Sequence, residues 1–283
     1  MYGSTIVKSY QDLITAAEAA LAHLDHPKFE AQSLLAFVLK CNRSRIIAFP
    51  EKMACEEEVT AFLTLIHARA KGVPFAYLTG EKEFYDLTLK VTPATLIPRG
   101  DTELLVETAL LKMPIDQNCR VIDMGTGSGA IALTLKKHRP NATVWAVDQS
   151  EEALAVAIDN GKHLNLDVTF IHSNWFDQVP NEPFDVIVSN PPYIDGIDAH
   201  LEGDGVKFEP RSALVAEDEG YADLDHLMIA ALPRLTSQGY LMMEHGFEQG
   251  ARLREKMVAA GYHNVVTLKD LSGNDRITLG QKG

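Results

Sequence analysis

The apolar residues in the first quarter of the chain recur at helical spacing. They follow one another at intervals of three and four over residues 5–70, and breaks at His26-Pro27, Cys41-Asn42 and Pro50 divide the pattern into short segments. Such spacing is typical of amphipathic helices that bury one face. The pattern therefore predicts a small N-terminal helical bundle.

A strand-like pattern follows the predicted bundle. Tyr77–Thr79 and, beyond a turn at Gly80, the alternating segment Phe84–Val91 predict a β-hairpin that joins two domains. A helical pattern then begins, and either Asp101 or Thr102 is well placed to cap its N-terminus. The helical start also offers unpaired N–H groups to a binding site.

Strands and helices alternate regularly after Cys119. Four strand–helix units require parallel pairing with right-handed crossovers, and they predict a doubly wound α/β sheet. The seven predicted strands are Arg120–Met124, Thr143–Asp148, Val168–His172, Phe184–Ser189, Tyr240–Glu244, Val265–Lys269 and Arg276–Leu279. The helices predicted between them are Ala130–Arg139, Glu151–Leu164, Tyr221–Leu235 and Phe247–Ala260. Only Asp270–Asp275 separates the last two strands, so we expect an antiparallel hairpin at the sheet edge.

Composition argues against several classes of protein. No apolar run approaches the roughly 18 residues that a membrane span needs, and the N-terminus lacks the apolar core of a secretion signal. The 3 cysteines form no C-x-x-C pair, and the 10 histidines never take an H-E-x-x-H spacing. Neither a disulfide framework nor a metal site is therefore expected. We predict a soluble cytoplasmic protein.

The acidic excess lies mainly in the α/β part. The net charge is −13, and residues 87–283 hold 28 of the 39 acidic residues but only 17 of the 26 basic ones. Proteins that grip nucleic acid neutralise several phosphates with lysine and arginine. The charge distribution therefore argues against duplex binding by this chain.

A glycine-rich turn follows the first predicted parallel strand. Its sequence is Asp123-Met124-Gly125-Thr126-Gly127-Ser128-Gly129-Ala130, and glycines let a ligand lie against bare backbone beside helix N–H groups. The second strand ends in Asp148, whose carboxylate can accept both hydroxyl groups of a ribose. Trp175, after the third strand, could flank an adenine or simply pack at the sheet edge. The pattern predicts an adenosyl ligand without separating NAD from S-adenosylmethionine.

Two consecutive prolines end the fourth predicted strand. The segment Asn190-Pro191-Pro192-Tyr193 stops the strand ladder, because proline has no N–H, and it leaves the Asn190 oxygen and nearby carbonyls as hydrogen-bond acceptors. Such a cluster suits a neutral –NH2 group. Taken alone, the segment slightly favours a different interpretation, a turn begun by Asn-Pro with a packing tyrosine. Because parallel strands end at one sheet edge, the adenosyl site and the acceptor cluster are predicted to face one crevice.

These motifs together resemble a known family. The D-x-G-T-G-S-G turn, the acid after the second strand, N-P-P-Y and the terminal hairpin are similar to class I S-adenosylmethionine-dependent methyltransferases that act on an amino nitrogen. The segments Ile97–Glu103, Glu209–Leu214 and Gly273–Arg276, behind a helical domain, resemble the release factor glutamine methyltransferases, the PrmC/HemK family. Gly100 departs from the family, which more often has a proline there.

The resemblance implies a reaction and a domain plan. A methyl group passes from S-adenosylmethionine to the side-chain amide nitrogen of the glutamine in the Gly-Gly-Gln motif of peptide chain release factors. S-adenosylhomocysteine is the product, and no metal takes part. Residues 1–75 are then a helical substrate-recognition domain, 76–92 a β-hairpin linker and 93–283 the class I methyltransferase domain with its seven-stranded sheet.

The resemblance also implies site residues. Those implied for the cofactor are Gly125, Thr126, Gly127, Ser128, Gly129, Asp148, Trp175 and Asn190. Those implied for the glutamine are Asn190, Pro191, Pro192 and Tyr193, with Asn190, Pro191 and Tyr193 as the catalytic set.

The chemistry of an amide agrees with this acceptor cluster. Amide nitrogen is a poor nucleophile, because its lone pair is delocalised into the carbonyl. If the Asn190 oxygen and the Pro191 carbonyl each accept one N–H, positioning does much of the work, and both oxygens stabilise the developing positive charge. The Tyr193 ring face favours the same cationic centre. Water could take the proton after transfer.

Other functions remain open from the residues alone. A methyltransferase acting on a base amine of nucleic acid fits the acceptor cluster, but it usually has a basic groove for a flipped base. A ribosomal-protein glutamine methyltransferase shares the core motifs. An NAD-dependent oxidoreductase fits the glycine turn and leaves N-P-P-Y unexplained, and a non-catalytic adenosyl-binding module would make the acceptor cluster a coincidence. We predict release factors as partners, no nucleic acid or membrane partner, and a monomer.

Overall fold

The computed structural model describes residues 8–203 and 205–283. The chain divides into two compact units. One contains the residues up to Gly80 and a short segment that ends at Phe208, and the other contains Glu81–Gly203 and Glu209–Gly283. Residues 5–7 of the predicted bundle, and the first seven residues of the predicted domain 1–75, lie outside the described residues.

The N-terminal unit is built mainly from short helices. They are α1 (Tyr10–Ala20), α2 (Pro27–Val38), α3 (Arg43–Ala48), α4 (Glu56–Ala70) and α5 (Phe75–Thr79), with a short antiparallel pair of β1 (Lys8–Ser9) and β2 (Met53–Ala54). Leu13, Leu34 and Phe62 are fully buried where these helices meet. The Ser9 side chain caps α1 by accepting the Asp12 N–H. The predicted helical bundle is confirmed.

A β-hairpin opens the second unit. Its strands are β3 (Glu81–Phe84) and β4 (Leu87–Lys90), and Phe84 pairs with Leu87 across the turn. The hairpin was predicted, but its strands were misplaced, because Tyr77–Thr79 is helical and Phe84–Val91 is not one strand. A two-residue turn preserves the alternation of apolar positions, so the pattern hides it. Tyr85 makes the turn with φ of 55°, a conformation that aromatic residues seldom adopt.

The centre of the second unit is a seven-stranded mixed sheet. The remaining strands are β5 (Arg120–Met124), β6 (Thr143–Asp148), β7 (Thr169–His172), β8 (Phe184–Ser189), β9 (Ile194–Asp195), β10 (Val215–Ala216), β11 (Leu235–Glu244), β12 (Tyr262–Lys269) and β13 (Asp275–Lys282). The order in the sheet is β12-β13-β11-β8-β5-β6-β7, while β9 and β10 form a separate parallel pair. The five strands from β11 to β7 are parallel, as predicted. The terminal hairpin is also confirmed, with β13 antiparallel to both neighbours and β12 at the edge.

Helices cover both faces of the sheet. They are α6 (Thr102–Lys112), α7 (Ala130–His138), α8 (Glu151–Leu164), α9 (Glu217–Gly220), α10 (Ala222–Ala231) and α11 (Gly250–Ala260). Leu105 and Leu133 belong to the core on one face, and Leu224 and Leu253 belong to the core on the other. The predicted span of α8 agrees with the structure at both ends. Among the residues described, no helix combines the length and apolar character that a bilayer crossing needs.

A ligand crevice at the carboxyl edge of the sheet

A crevice opens where the central parallel strands end. It holds about 690 Å³ of space between atoms, open mouth included. Six of the predicted site residues line it, namely Gly125, Gly127, Asp148, Trp175, Asn190 and Pro192. The other predicted site residues, Thr126, Ser128, Gly129, Pro191 and Tyr193, are not among those that line it. The structure thus brings two glycines of the turn and the first and third residues of N-P-P-Y to one cavity.

The glycine turn is fastened to the neighbouring strand through its backbone. The N–H groups of Gly125 and Thr126 both donate to the Val147 carbonyl, at 2.9 and 2.8 Å. Gly125 and Gly127 have φ of 77° and 57°, in the left-handed region that favours glycine. A Cβ built on Gly127 would have no atom within 4 Å, so it would project into open space. The turn therefore presents bare backbone to the crevice.

Asp148 joins the end of β6 to the glycine turn. Its Oδ2 accepts the Gly127 N–H at 2.8 Å, and its Oδ1 accepts the Ser150 N–H at 2.9 Å. Burial raises the pKa of the Asp148 carboxyl, while the N–H groups of Ser150 and Gly127 oppose that rise. Each carboxylate oxygen retains a second lone pair. Asp148 can therefore accept two hydroxyl groups while it holds the turn in place.

Asp123 is a buried carboxyl that sequence reasoning left without a role. Its Oδ2 accepts the Thr126 hydroxyl at 2.7 Å and the Ala132 N–H at 3.2 Å. Its Oδ1 is buried without a hydrogen-bond partner among the described residues. Burial raises the pKa of Asp123 to about 7. The Thr126 side chain is thus engaged inside the protein, and an acid at the end of a buried strand was the signal available in the sequence.

Trp175 both packs against the turn and lines the crevice. Its ring lies 3.8 Å from the position that a Cβ on Gly125 would occupy, and its centroid is 6.2 Å from that of His226. Its backbone has φ of 45°, which is uncommon for a large side chain. The two interpretations of Trp175 left open by the sequence, packing and ligand contact, are therefore compatible.

Asn190 lies directly after β8, and the nitrogen of its side-chain amide is hydrogen-bonded within the protein. Its Nδ2 donates to the Thr102 Oγ1 at 3.2 Å, which leaves the side-chain oxygen as the acceptor available to a ligand. Thr102 is buried at the first residue of α6. Asp101 occupies the N-cap position of α6, but its side chain makes no capping hydrogen bond. The predicted capping by this acid is therefore not observed.

Tyr193 is anchored at its hydroxyl and at its carbonyl. The hydroxyl donates to the Glu244 Oε1 at 3.2 Å, and the carbonyl accepts the Gln249 Nε2 at 3.1 Å. A Cβ on Gly220 would lie only 2.2 Å from the same carbonyl oxygen, and the φ of Gly220 is 83°. Sequence reasoning identified the tyrosine but missed Glu244, Gln249 and Gly220, which support it from behind.

Glu244 is a fully buried carboxyl next to this segment. Burial raises the pKa of Glu244 to about 7, although the Thr102 hydroxyl, Arg276 and Tyr193 act in the opposite direction. Its Oε2 makes no hydrogen bond of ordinary geometry with a described residue. Arg276 pairs with Asp270 at 3.1 Å and with Asp101 at 3.5 Å.

Glu209 connects two segments that flank the crevice. Its Oε2 accepts the Ile97 N–H at 2.9 Å, and its Oε1 pairs with the Arg99 guanidinium. Leu96 and Pro210, the neighbours of Ile97 and Glu209, line the crevice. A buried carboxylate thus ties the two walls together. Within the described part of the chain, no cluster of three His, Cys, Asp or Glu side chains could hold a metal ion.

Comparisons with known proteins extend along almost the whole chain. The family model described as "Methyltransferase small domain" matches residues 100–203, and that described as "PrmC N-terminal domain" matches residues 12–80. The release factor glutamine methyltransferase of Shewanella oneidensis is 46% identical over 267 residues, which cover 94% of this chain and 91% of that protein. The protein of the same name from Escherichia coli strain K12 is 43% identical over 273 residues, 96% of this chain and 98% of its own.

A solved structure shares the fold at low sequence identity. The 16S rRNA N2 G1207 methyltransferase of T. thermophilus, in complex with AdoMet and guanosine, superposes with a TM-score of 0.52 and 19% identity. The match covers 72% of this chain and 50% of that one. It supports the doubly wound methyltransferase sheet.

Proposed function

Because this chain belongs to the release factor glutamine methyltransferase family, we propose that it methylates the side-chain amide nitrogen of the glutamine in the Gly-Gly-Gln motif of peptide chain release factors. The methyl donor is S-adenosylmethionine, and S-adenosylhomocysteine is the product. The observation that carries the proposal is the single crevice in which the glycine turn and Asp148 adjoin Asn190.

The residues of the crevice fit S-adenosylmethionine. Gly125 and Gly127 line it without a side chain, so the backbone can approach a ligand closely. Asp148 offers two carboxylate oxygens to the ribose hydroxyls, and Trp175 offers a ring beside the turn. When bound, the cofactor supplies a methyl group on a positively charged sulfur.

The acceptor residues act by orientation and charge. The Asn190 oxygen accepts one N–H of the substrate amide and the Pro191 carbonyl accepts the other, which directs the nitrogen lone pair into the crevice. In this arrangement both oxygens would face the nitrogen on which positive charge develops, so they would stabilise the transition state more than the bound substrate. Pro192 lines the cavity and Tyr193 packs on the amide plane. The proton leaves to water.

The N-terminal unit has a surface suited to a protein substrate. Phe29, Phe37 and Phe49 are 53%, 45% and 44% exposed, and aromatic side chains are enriched in protein–protein interfaces. The Arg43 guanidinium lies 4.3 Å above the Phe29 ring, which adds a basic component. These features support a substrate-recognition role for residues 1–75. We further propose that residues 76–92 are a linker, that residues 93–283 are the methyltransferase domain, and that the protein is a cytoplasmic monomer.

Labelled S-adenosylmethionine tests the proposal directly. The protein is incubated separately with a release factor, with ribosomal protein and with RNA, and peptides are analysed by mass spectrometry. We expect one methyl group on the glutamine of the Gly-Gly-Gln peptide. A release factor carrying glutamate at that position is the matched control, because it keeps the shape but lacks the –NH2. Label in RNA or ribosomal protein alone would contradict the proposal.

A further inference from the structure

Two consecutive prolines limit the ways in which the acceptor segment can be held in place. Pro191 and Pro192 have no N–H, so neither can donate a backbone hydrogen bond. In the proposed function, the Pro191 carbonyl is reserved for the substrate amide. Hydrogen bonds can therefore fix this segment chiefly at its two ends. At the first end, Asn190 Nδ2 donates to Thr102 Oγ1 at 3.2 Å.

The second end of the segment is held at and just beyond Tyr193. The Tyr193 carbonyl accepts the Gln249 Nε2 at 3.1 Å, and the Tyr193 hydroxyl donates to the Glu244 Oε1 at 3.2 Å. The Ile194 N–H donates to the Leu214 carbonyl at 3.0 Å. The bond from Gln249 thus fixes the carbonyl of the residue that ends the acceptor segment.

Gln249 joins three segments through one side-chain amide. Its Nε2 donates to the carbonyls of Tyr193 and Gly220, at 3.1 and 3.3 Å, and its Oε1 accepts the Gly246 N–H at 2.8 Å. These partners lie after β8, at the end of α9 and after β11. Two carbonyls and one N–H require two donors and one acceptor, which a side-chain amide supplies. The partners therefore also determine the orientation of the amide.

Two glycines make room for this arrangement. A Cβ on Gly220 would lie 2.2 Å from the Tyr193 carbonyl oxygen and 3.0 Å from the Gln249 Nε2. A Cβ on Gly246 would lie 3.2 Å from the Gln249 Oε1. All three distances are shorter than an ordinary contact of a carbon atom, which is about 3.5–4.0 Å. The hydrogen bonds of Gln249, which is 8% exposed, are therefore part of the packed interior.

We propose that Gln249 is a positioning residue for methyl transfer: by holding the Tyr193 carbonyl, it keeps the Pro191 carbonyl and the Tyr193 ring in place against the substrate amide. The inference rests on the proposed function, because the place of that carbonyl matters only if an –NH2 group binds there. Gln249 does not line the crevice. It acts through the acceptor segment and contacts neither substrate nor cofactor.

Gln249→Leu removes the amide and keeps a branched side chain of similar size. We expect turnover with the release factor to fall by ~10-fold or more, as for the loss of a preorganised polar group. The affinity for S-adenosylmethionine and the KM for the release factor should each change by less than about threefold, because the misplaced carbonyl is felt mainly in the transition state. Steady-state kinetics and calorimetry measure these quantities.

Gln281→Leu is the matched control. Gln281 is also 8% exposed, and its amide makes three hydrogen bonds, with Asn264 and with the carbonyl and side chain of Gln238. It lies on β13 and does not line the crevice. We expect this variant to lose stability in thermal unfolding while turnover stays within about twofold of the wild type. An equal loss of turnover in the two leucine variants would overturn the inference.

Gln249→Glu tests the two donors separately. An ionised glutamate still accepts the Gly246 N–H but cannot donate to either carbonyl, whereas a protonated one can donate to one of them. Burial raises the pKa of such a carboxyl, so the donor is present below that pKa and is lost above it. We expect the turnover of Gln249→Glu, divided by that of Gln249→Leu, to rise as the pH falls from about 9 to about 6. Turnover no better than that of Gln249→Leu throughout this range would overturn the inference.

Other ionisable side chains lie on the elements around Gln249. They are Tyr193, Glu219, Glu244, His245, Arg252 and Asp275. All of them are present in both the Gln249→Glu and the Gln249→Leu protein. Their effects on turnover therefore cancel when the two variants are compared at the same pH.

The outcome also distinguishes this inference from the proposed function. If the wild-type protein methylates the release factor glutamine and Gln249→Leu does so at the same rate, only the positioning role fails. If the wild-type protein places no methyl group on that glutamine, the proposed function itself fails. Calorimetric binding of S-adenosylmethionine to each variant checks that the donor half of the crevice has folded.

Discussion

The two halves of the crevice are built in different ways. The donor half, Gly125–Gly129 with Asp148, is made of one turn and one strand end, and the contact that joins them spans 21 residues of sequence. The acceptor half, Asn190–Tyr193 with Thr102 and Glu244, depends on side-chain contacts that span 88 and 51 residues. Backbone geometry shapes the first half, and side-chain hydrogen bonds shape the second.

This difference predicts that substitutions in the two halves affect different measured quantities, cofactor affinity in one case and turnover in the other. A substitution in the donor half changes how the cofactor is held, so its effect should appear in cofactor binding. A substitution in the acceptor half changes how the nitrogen is oriented in the transition state, so its effect should appear in turnover. The following substitutions test that separation.

Asn190→Ala should have the largest effect. Loss of the oxygen that orients the substrate amide should lower turnover by ~10²-fold or more, the usual cost of one preorganised polar group, and cofactor affinity should fall less. Steady-state kinetics with a release factor substrate measure the first, and calorimetry measures the second. Asn141→Ala, at an exposed turn, is the control. Near-normal turnover would remove Asn190 from its role.

Asp148→Ala should weaken cofactor binding by roughly 1.5–3 kcal/mol, the range for a hydrogen bond to a charged group. It also leaves the N–H groups of Gly127 and Ser150 without their acceptor, so the glycine turn should loosen. Calorimetric titration with S-adenosylmethionine gives the change. Asp159→Ala, an exposed acid paired with Lys90, should bind normally. Unchanged affinity in Asp148→Ala would exclude it from the donor half.

Gly220→Ala should disturb the acceptor half through the backbone of Tyr193. The new Cβ would lie 2.2 Å from the Tyr193 carbonyl oxygen, so the free energy of unfolding should fall by about 1–3 kcal/mol, with a greater loss of turnover than of cofactor affinity. Gly273→Ala is the matched control, because its φ is 85° and nothing lies within 4 Å of its Cβ. Equal behaviour of the two variants would show that the contact with Tyr193 is unimportant. Thermal unfolding and kinetics supply the data.

Ser128→Ala should have the smallest effect. Ser128 is 3% exposed and does not line the crevice, so we expect its contribution to come from the backbone and the affinity to change by less than about 0.5 kcal/mol. Gly127→Ala should have a larger effect than Ser128→Ala, because an alanine in the left-handed backbone conformation costs ~1–2 kcal/mol. A large loss of affinity in Ser128→Ala would mean that a side chain of the turn binds the cofactor after all.

Most of the fold could be predicted because the signals were local. Strands such as Phe184–Ser189 are buried on both faces and therefore appear as continuous apolar runs, and the helix Glu151–Leu164 has a capping serine before it that accepts the Ala153 N–H. The hairpin near Tyr85 was misplaced because the alternation of apolar residues continues through its turn. The order of the strands was not predicted, because right-handed crossovers limit the possible orders without selecting one.

The donor half could also be predicted, but the support of the acceptor half could not. The glycines of the turn and Asp148 occur in a fixed order, and their backbone role follows from residue type alone. Glu244 has no such local signature, because it is simply the last residue of a strand until the fold brings it to Tyr193. Gly220 likewise ends the short helix α9 after three acidic residues, and only its positive φ and its distance from the Tyr193 carbonyl show why it is a glycine.

The position of β11 between β8 and β13 has a practical consequence for redesign. Met243 pairs with Ser189 on one side, and Glu244 pairs with Ile277 on the other, so the residue that supports the acceptor is fixed by two neighbouring strands. A donor turn could be transplanted into another protein as one short peptide. A new acceptor specificity would have to be introduced as a three-dimensional patch, because grafting a loop at Asn190–Tyr193 would leave the old Thr102 and Glu244 behind it.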